Sequence, residues 1–195
     1  MIVAVVVSHS GSEVTAPDKL QATSLAANDF ALFQLSQQYA LDLLSLEQSW
    51  KALQRQAHPD MHAQGDASAQ RLSMQWSVRI NEAYQRLKNP IKRAAYLCEL
   101  HGVPIDAETN TAMPADFLMQ QINWREALDE AVSPQEVDAL LVEVKAYRSS
   151  LLQECAHFLD DVCDIQKAAL SVRALMFVDR FIQAVVLQLD RLESA

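Results

Sequence analysis

From residue 29 onward, apolar residues recur three and four positions apart almost without interruption. That is the spacing of one face of an α-helix. The breaks are few. The chain of 195 residues holds 3 Gly and 6 Pro, too few for the many tight turns of an all-β fold. Half of the residues are hydrophobic, enough to fill a real core. The pattern predicts an all-α protein of one or two domains.

Caps and breakers divide this pattern into two helical units. Phe30 to Phe33 reads as a short first helix. Ser45-Leu46-Glu47-Gln48 reads as a capping box, with Ser and Gln three apart at a helix start. Leu46, Trp50, Leu53 and Ala57 then share one face, with Lys51 and Arg55 on roughly the opposite one. Asp66 or Ser68 can cap the next helix, whose expected stripe is Leu72, Trp76, Ile80, Ala83 and Leu87. Asn89-Pro90 ends it, because proline disfavours helix in the residue before it. The two stripes should face each other as an antiparallel pair, with 58–65 as the loop. Ile91 to Leu100 is a short helical piece, and His101-Gly102-Val103-Pro104 breaks it.

Residues 101–114 read as a connector. Ala115 to Ala131 is helical, and Ser133-Pro134-Gln135-Glu136 is a second capping box with proline at the first helical position. Val137, Leu141, Val144, Leu151, Cys155 and Phe158 make a long stripe. Asp164 starts a last helix with Ile165, Ala169, Val172, Leu175, Ile182, Val186 and Leu189 inward. Three helices over 115–195 predict an antiparallel bundle. Residues 1–28 are rich in Ser, Ala and Thr after an apolar start, and read as a flexible tail or an overlong start. Met1 to Val7 is too short to span a bilayer and lacks a basic flank.

Charge narrows the function. The net charge is −9, with 16 Lys and Arg against 25 Asp and Glu. Nucleic-acid binding needs a basic surface to displace counterions and is disfavoured for the chain as a whole. Three irregularly spaced cysteines, Cys98, Cys155 and Cys163, read as reduced thiols of a cytoplasmic protein, with Cys155 and Cys163 in the core. His58 and His62, or Cys98 and His101, could ligate a metal as pairs, but neither makes the four-ligand pattern of a structural zinc site.

The loop holds His58-Pro59-Asp60. Pro and Asp also suit an ordinary turn. Here the proline fixes φ and stiffens the tip, Asp60 offers a carboxylate acceptor to an arginine, and His58 offers a donor and an acceptor. A polar tip preceded by basic residues could bias a partner between two states by differential affinity alone.

This tripeptide between two amphipathic helices resembles the J-domain, with which co-chaperones stimulate ATP hydrolysis by DnaK-class chaperones. Three further segments resemble the HscB family of iron–sulfur co-chaperones. They are Arg93-Ala94-Ala95-Tyr96-Leu97-Cys98-Glu99-Leu100-His101-Gly102, Phe117-Leu118-Met119-Gln120-Gln121-Ile122 and Leu175-Met176-Phe177-Val178-Asp179. The similarity covers about 29–193. It implies an L-shaped all-α fold, with a J-domain over 29–100 and a three-helix bundle over 115–195.

The implied partners are an HscA-like chaperone and an IscU-like iron–sulfur scaffold, with no nucleic acid or membrane. His58, Pro59, Asp60, Lys51 and Arg55 would meet the chaperone. Leu118, Ile122, Asn123, Glu126 and Phe177 would meet the scaffold. No catalytic residue, resident cofactor or metal is implied. Two departures stand out: Met61 where many J-domains continue with Lys, and Ala57 where Tyr often precedes the motif. No cysteine precedes Cys98, so the N-terminal zinc module of some eukaryotic members is absent, as suits a bacterial-type protein. The alternative is a generic J-protein for unfolded clients, which predicts a broad exposed apolar surface.

Overall fold

The computed structural model describes residues 24–57, 67–105 and 113–194. Every element among them is helical. In chain order these are α1 (Asp29–Leu32), α2 (Leu43–Gln56), α3 (Ala67–Lys88), α4 (Pro90–Leu100), α5 (Ala115–Glu130), α6 (Pro134–Ala156) and α7 (Ile165–Glu193). A π-type turn, His157–Asp161, widens the end of α6.

The ends of most helices follow from their caps. Asn28 accepts from the Ala31 amide, Asn89 from those of Ile91 and Lys92, and Asp164 from that of Lys167. Ser133 and Glu136 form the full reciprocal box at α6. Two starts differ from expectation. Helix α2 begins at Leu43, because Asp42 accepts from the Leu44 amide and holds the Ser45 hydroxyl as well. Ser45 therefore lies inside the helix. Helix α3 already includes Ala67, so Ser68 is also internal, and Asp66 lies outside the described residues.

Helices α2 and α3 pair antiparallel. Ser73 donates to the Ala57 carbonyl, Gln54 and Ser77 bond reciprocally, and Trp50 donates to Asn81 while stacking on Tyr84 at 4.6 Å. The seam contains Leu46, Leu53, Ala57, Ile80, Ala83, Tyr84 and Leu87. Leu72 does not join it. Leu72 is 48% exposed, and Ser73 takes the inward position because its hydroxyl has the Ala57 carbonyl to bond.

In the bundle, α5 runs antiparallel to α6, with Phe117 beside Tyr147 and Trp124 donating to Glu143 at 2.7 Å. Helix α7 returns along α6, tied by Arg148–Asp179 at 2.5 Å. Helices α5 and α7 run parallel, with Phe117 beside Phe177 and Trp124 stacked on Phe181.

The two units are joined. Helix α4 packs on α7. The Asp160 carboxylate accepts from the Tyr39 and Ala40 amides at 2.6 and 2.7 Å. Arg93 lies 4.9 Å over the Tyr39 ring, and burial pushes that phenol up to about 12. Arg173 donates to the Ile105 carbonyl. Residues 24–28, expected to belong to a flexible tail, are held: Arg79 donates to the Leu25 and Ala27 carbonyls.

Candidate functional site

The first candidate surface is the α2–α3 end. Lys51 and Arg55 are exposed on α2, as the helical spacing requires. Lys51 Nζ lies 2.6 Å from Glu47 Oε1 one turn earlier, both largely in solvent. The hydrogen bond from Lys51, helped by its charge, holds the Glu47 carboxyl below its usual range. Lys51 is therefore partly compensated, and Arg55, in the last turn, is the basic group nearest the loop. His58, Pro59 and Asp60 lie outside the described residues. Ala57, the last described residue before them, is buried, and its carbonyl accepts from the Ser73 hydroxyl.

A buried ion cluster steadies this unit from behind. Asp29 is fully buried, with Arg79 at 2.7 Å, Arg86 at 3.1 Å and the Tyr96 hydroxyl accepting from its amide at 3.0 Å. The guanidinium of Arg86 also covers the Tyr96 ring at 4.7 Å. Burying a carboxylate without a partner is costly, and here two arginines meet it.

The second surface lies on α5. Phe117 and Trp124 point inward, which turns the opposite face outward. Leu118 is 45% exposed and Ile122 is 49% exposed, one turn apart. Met119 beside them is 59% exposed and extends the face, although helical spacing alone did not single it out. Asn123 and Glu126 are exposed on the same helix. Phe177 differs from its expected outward direction. It is half-buried, its ring tilted against Phe117, and only its remaining edge reaches the surface. That edge lines a groove of about 400 Å³ between α5 and α7.

The His58–His62 pair lies outside the described residues. Among the described residues, no cluster of three His, Cys, Asp or Glu is placed to hold a metal ion. Cys98 is buried, whereas His101 is exposed with Nδ1 on the Leu97 carbonyl. Burial pushes the Cys98 thiol up to about 11 and that of Cys155 up to about 12, so neither is a ready nucleophile. Cys163 is exposed, not core, because the turn before α7 places it at φ 57° on the surface. No helix among the described residues is long and apolar enough to cross a membrane.

Known proteins share this architecture. The family described as the HSCB C-terminal oligomerisation domain matches residues 113–186. A co-chaperone HscB homologue from Burkholderia multivorans is 44% identical over 174 residues, covering 88% of this chain and 99% of that protein. One from Burkholderia thailandensis is 45% identical over 173 residues, 87% of this chain and 98% of its own. The solved HscB of Vibrio cholerae superposes with a TM-score of 0.74 at 30% identity, over 85% of this chain and 99% of that one. Human HscB shares the fold, with a TM-score of 0.80 at 24% identity over 86% of this chain and 84% of that one. The likeness spans the hairpin and the bundle alike, with both surfaces on one chain, and so the protein belongs to the HscB co-chaperone family.

Proposed function

We propose that the chain brings an IscU-like iron–sulfur scaffold to an HscA-like, DnaK-class ATPase and stimulates ATP hydrolysis, supporting cluster transfer. Residues 29–100 form the chaperone-facing J-domain, 101–114 the connector and 115–195 the scaffold-facing bundle. His58, Pro59 and Asp60 engage the ATPase, and Lys51 and Arg55 steer it. Leu118, Ile122 and Phe177 meet the scaffold, with Asn123 and Glu126 at the edge. The protein performs no chemistry of its own and works in the cytoplasm.

The observation that carries this reading is that relatives named as HscB co-chaperones cover 99% of their own length with this chain, hairpin and bundle together. The exposed apolar face of α5 supports it. Leu118, Met119 and Ile122 form a compact strip with acidic Glu126 nearby, not the broad surface that a generic holder of unfolded clients would need.

The test is His58→Gln with the purified ATPase and scaffold. Stimulation of hydrolysis should vanish, while far-UV circular dichroism and scaffold binding stay as in the wild type. Full stimulation by the variant would overturn the reading.

A further inference from the structure

A hollow of about 260 Å³ lies at the other end of the bundle, where the residues leading into α5 meet the end of α6 and the start of α7. Helical spacing builds its walls. Tyr147, Leu151 and Glu154 fall on one face of α6 at intervals of four and three, and Lys167, Ser171 and Ala174 repeat that spacing on α7. Phe117 of α5 and Phe158 of the π-type turn complete the lining. The hollow shares no residue with the groove between α5 and α7, and none of Leu118, Ile122, Asn123, Glu126 and Phe177 lines it.

Three aromatic rings and two uncompensated carboxylates set its chemistry. The Phe117 and Tyr147 rings stack with centroids 6.3 Å apart. The Phe158 ring already has a cation over it, Lys167 Nζ at 5.6 Å. That ammonium lies 3.1 Å from Asp164, so the couple is close to neutral. Asp116 and Glu154 are exposed, and among the described residues neither has an ion pair. Burial, with the Glu154 charge adding, pushes the Tyr147 phenol up, so that carboxylate stands near the ring. Ser171 is only 6% exposed and lines the hollow, and among the described residues its hydroxyl has no hydrogen-bond partner. Buried hydroxyls seldom go without one.

These features select the occupant. An anion would be repelled by Asp116 and Glu154. A wholly apolar side chain would leave the Ser171 hydroxyl unpaired. A guanidinium meets every requirement: it lies flat on an aromatic face, forks onto a carboxylate and has donors left for a hydroxyl. Its methylene stem can cover Leu151 and Leu170. The volume falls below the range of about 300–1,000 Å³ usual for small-molecule sites and suits one inserted side chain.

We propose that this hollow is a docking pocket for an arginine side chain of a protein partner, set in a segment with an apolar residue beside it. The guanidinium lies against Tyr147 and Phe158, Asp116 and Glu154 balance its charge, and the Ser171 hydroxyl accepts from it. The adjoining apolar residue rests on Met113 and Pro114 at the lip. None of the residues read above as meeting the scaffold takes part, so the pocket stands or falls apart from that surface.

The probe is the dipeptide leucyl-arginine, acetylated and amidated so that only the guanidinium is charged. It is titrated into the isotope-labelled full chain, with amide shifts followed by NMR. The shifts should saturate and centre on Phe117, Tyr147, Phe158 and Ser171. The citrulline counterpart, similar in shape but neutral, should bind at least fivefold more weakly, and so should the arginine probe to D116N/E154Q. Both carboxylates are exposed, so this variant should melt with the wild type. L118A/I122A should bind the probe as the wild type does. Equal binding of the arginine and citrulline probes, unchanged binding by D116N/E154Q, shifts centred elsewhere, or no saturable shift would each overturn the pocket. Spermidine binding as tightly as the dipeptide would overturn it too, since a free polyamine would then serve as well as a protein segment.

Discussion

Helices α5 and α7 lie side by side in one bundle and spend their apolar residues differently. Helix α5 buries two of its sixteen residues, Phe117 and Trp124, and leaves Leu118, Met119 and Ile122 in water. Helix α7 buries nine of twenty-nine and is packed on both α6 and α4. Apolar side chains on α7 provide cohesion. Leu118, Met119 and Ile122 on α5 contribute little to folding and form an exposed apolar strip, the kind of surface that a partner can cover. Phe177 stands between the two roles, one edge on Phe117 and the other on the groove.

The largest expected effect breaks the molecule at α7. Leu175 is fully buried at the centre of the bundle. Leu175→Ala removes its burial and leaves a cavity, for about 2–5 kcal/mol of stability. On α5, L118A/I122A should change the melting temperature little, since surface changes stay within about 0.5 kcal/mol each. Its scaffold affinity should instead fall about a hundredfold, or about 3 kcal/mol. Adding Phe177→Ala to that variant should lower both, because Phe177 also packs on Phe117. If L118A/I122A lowers the melting temperature as much as Leu175→Ala, the contrast between the helices fails.

A smaller loss is expected at the Asp29 cluster. Asp29→Asn leaves Arg79 and Arg86 facing a neutral amide. Breaking a wholly buried pair costs about 3–5 kcal/mol, but Arg86 is 41% exposed and can turn to water, so the loss should be about 2–3 kcal/mol. Urea unfolding of the two proteins measures it, with equal midpoints counting against a structural role.

The joint between the units should come next. Asp160→Ala deletes two charge-assisted bonds to the Tyr39 and Ala40 amides at a half-buried site, worth about 1–2 kcal/mol together. Amide exchange at Tyr39 and Ala40 should accelerate more than exchange inside α6. Uniform acceleration would mean that Asp160 supports only its own turn.

Local signals made much of this fold legible, and distance in sequence hid the rest. Ser133 to Glu136 and Asp164 set helix starts through bonds within four residues and were readable as such, whereas Asn89-Pro90 was readable as the end of α3 and also caps α4. Asp42 and Ser45 compete for one start, and the carboxylate wins by bonding the Leu44 amide and the Ser45 hydroxyl together. The α3 stripe was readable from Trp76 onward. In its second turn the inward position went to Ser73 instead of Leu72, because the Ala57 carbonyl at the end of α2 accepts from it there. Asp29 and Asp160 act on groups 50 or more residues away, so no spacing rule points to them. The site divides the same way. Leu118 and Ile122 follow from helical spacing, whereas the groove exists only once α7 lies against α5.

Ionisation separates core from rim once more. The ordinary thiol value of 9.0 is raised to about 11 at Cys98 and about 12 at Cys155, chiefly by burial. A raised pKa means stability that is whole below pH 9 and lost as pH climbs through 11 to 12. Stability should therefore be flat from neutral pH to 9 and fall steeply above it, and Cys98→Ala/Cys155→Ala should flatten that fall. At neutral pH a thiol reagent should label Cys163 at once and the other two only on unfolding. Equal labelling of all three would contradict the burial.

The smallest effect on stability should come from the basic face of α2, where the difference between two neighbouring residues is informative. Lys51 is already paired with Glu47, so a passing acidic partner meets a nearly neutral couple, whereas Arg55 offers its whole charge close to the loop. Neither is buried, and exposed pairs contribute about 0–1 kcal/mol, so Lys51→Glu and Arg55→Glu should each leave the melting temperature almost unmoved. Association with the ATPase is another matter, since steering acts on the encounter before contact. Arg55→Glu should slow association several-fold at low salt, and Lys51→Glu less. Both differences should shrink as ionic strength rises and the screening length falls below about 8 Å. Stopped-flow association rates at two salt concentrations decide it. If the two substitutions slow association equally, the Glu47 pair does not screen Lys51 in solution, and the face acts as one undivided patch of charge.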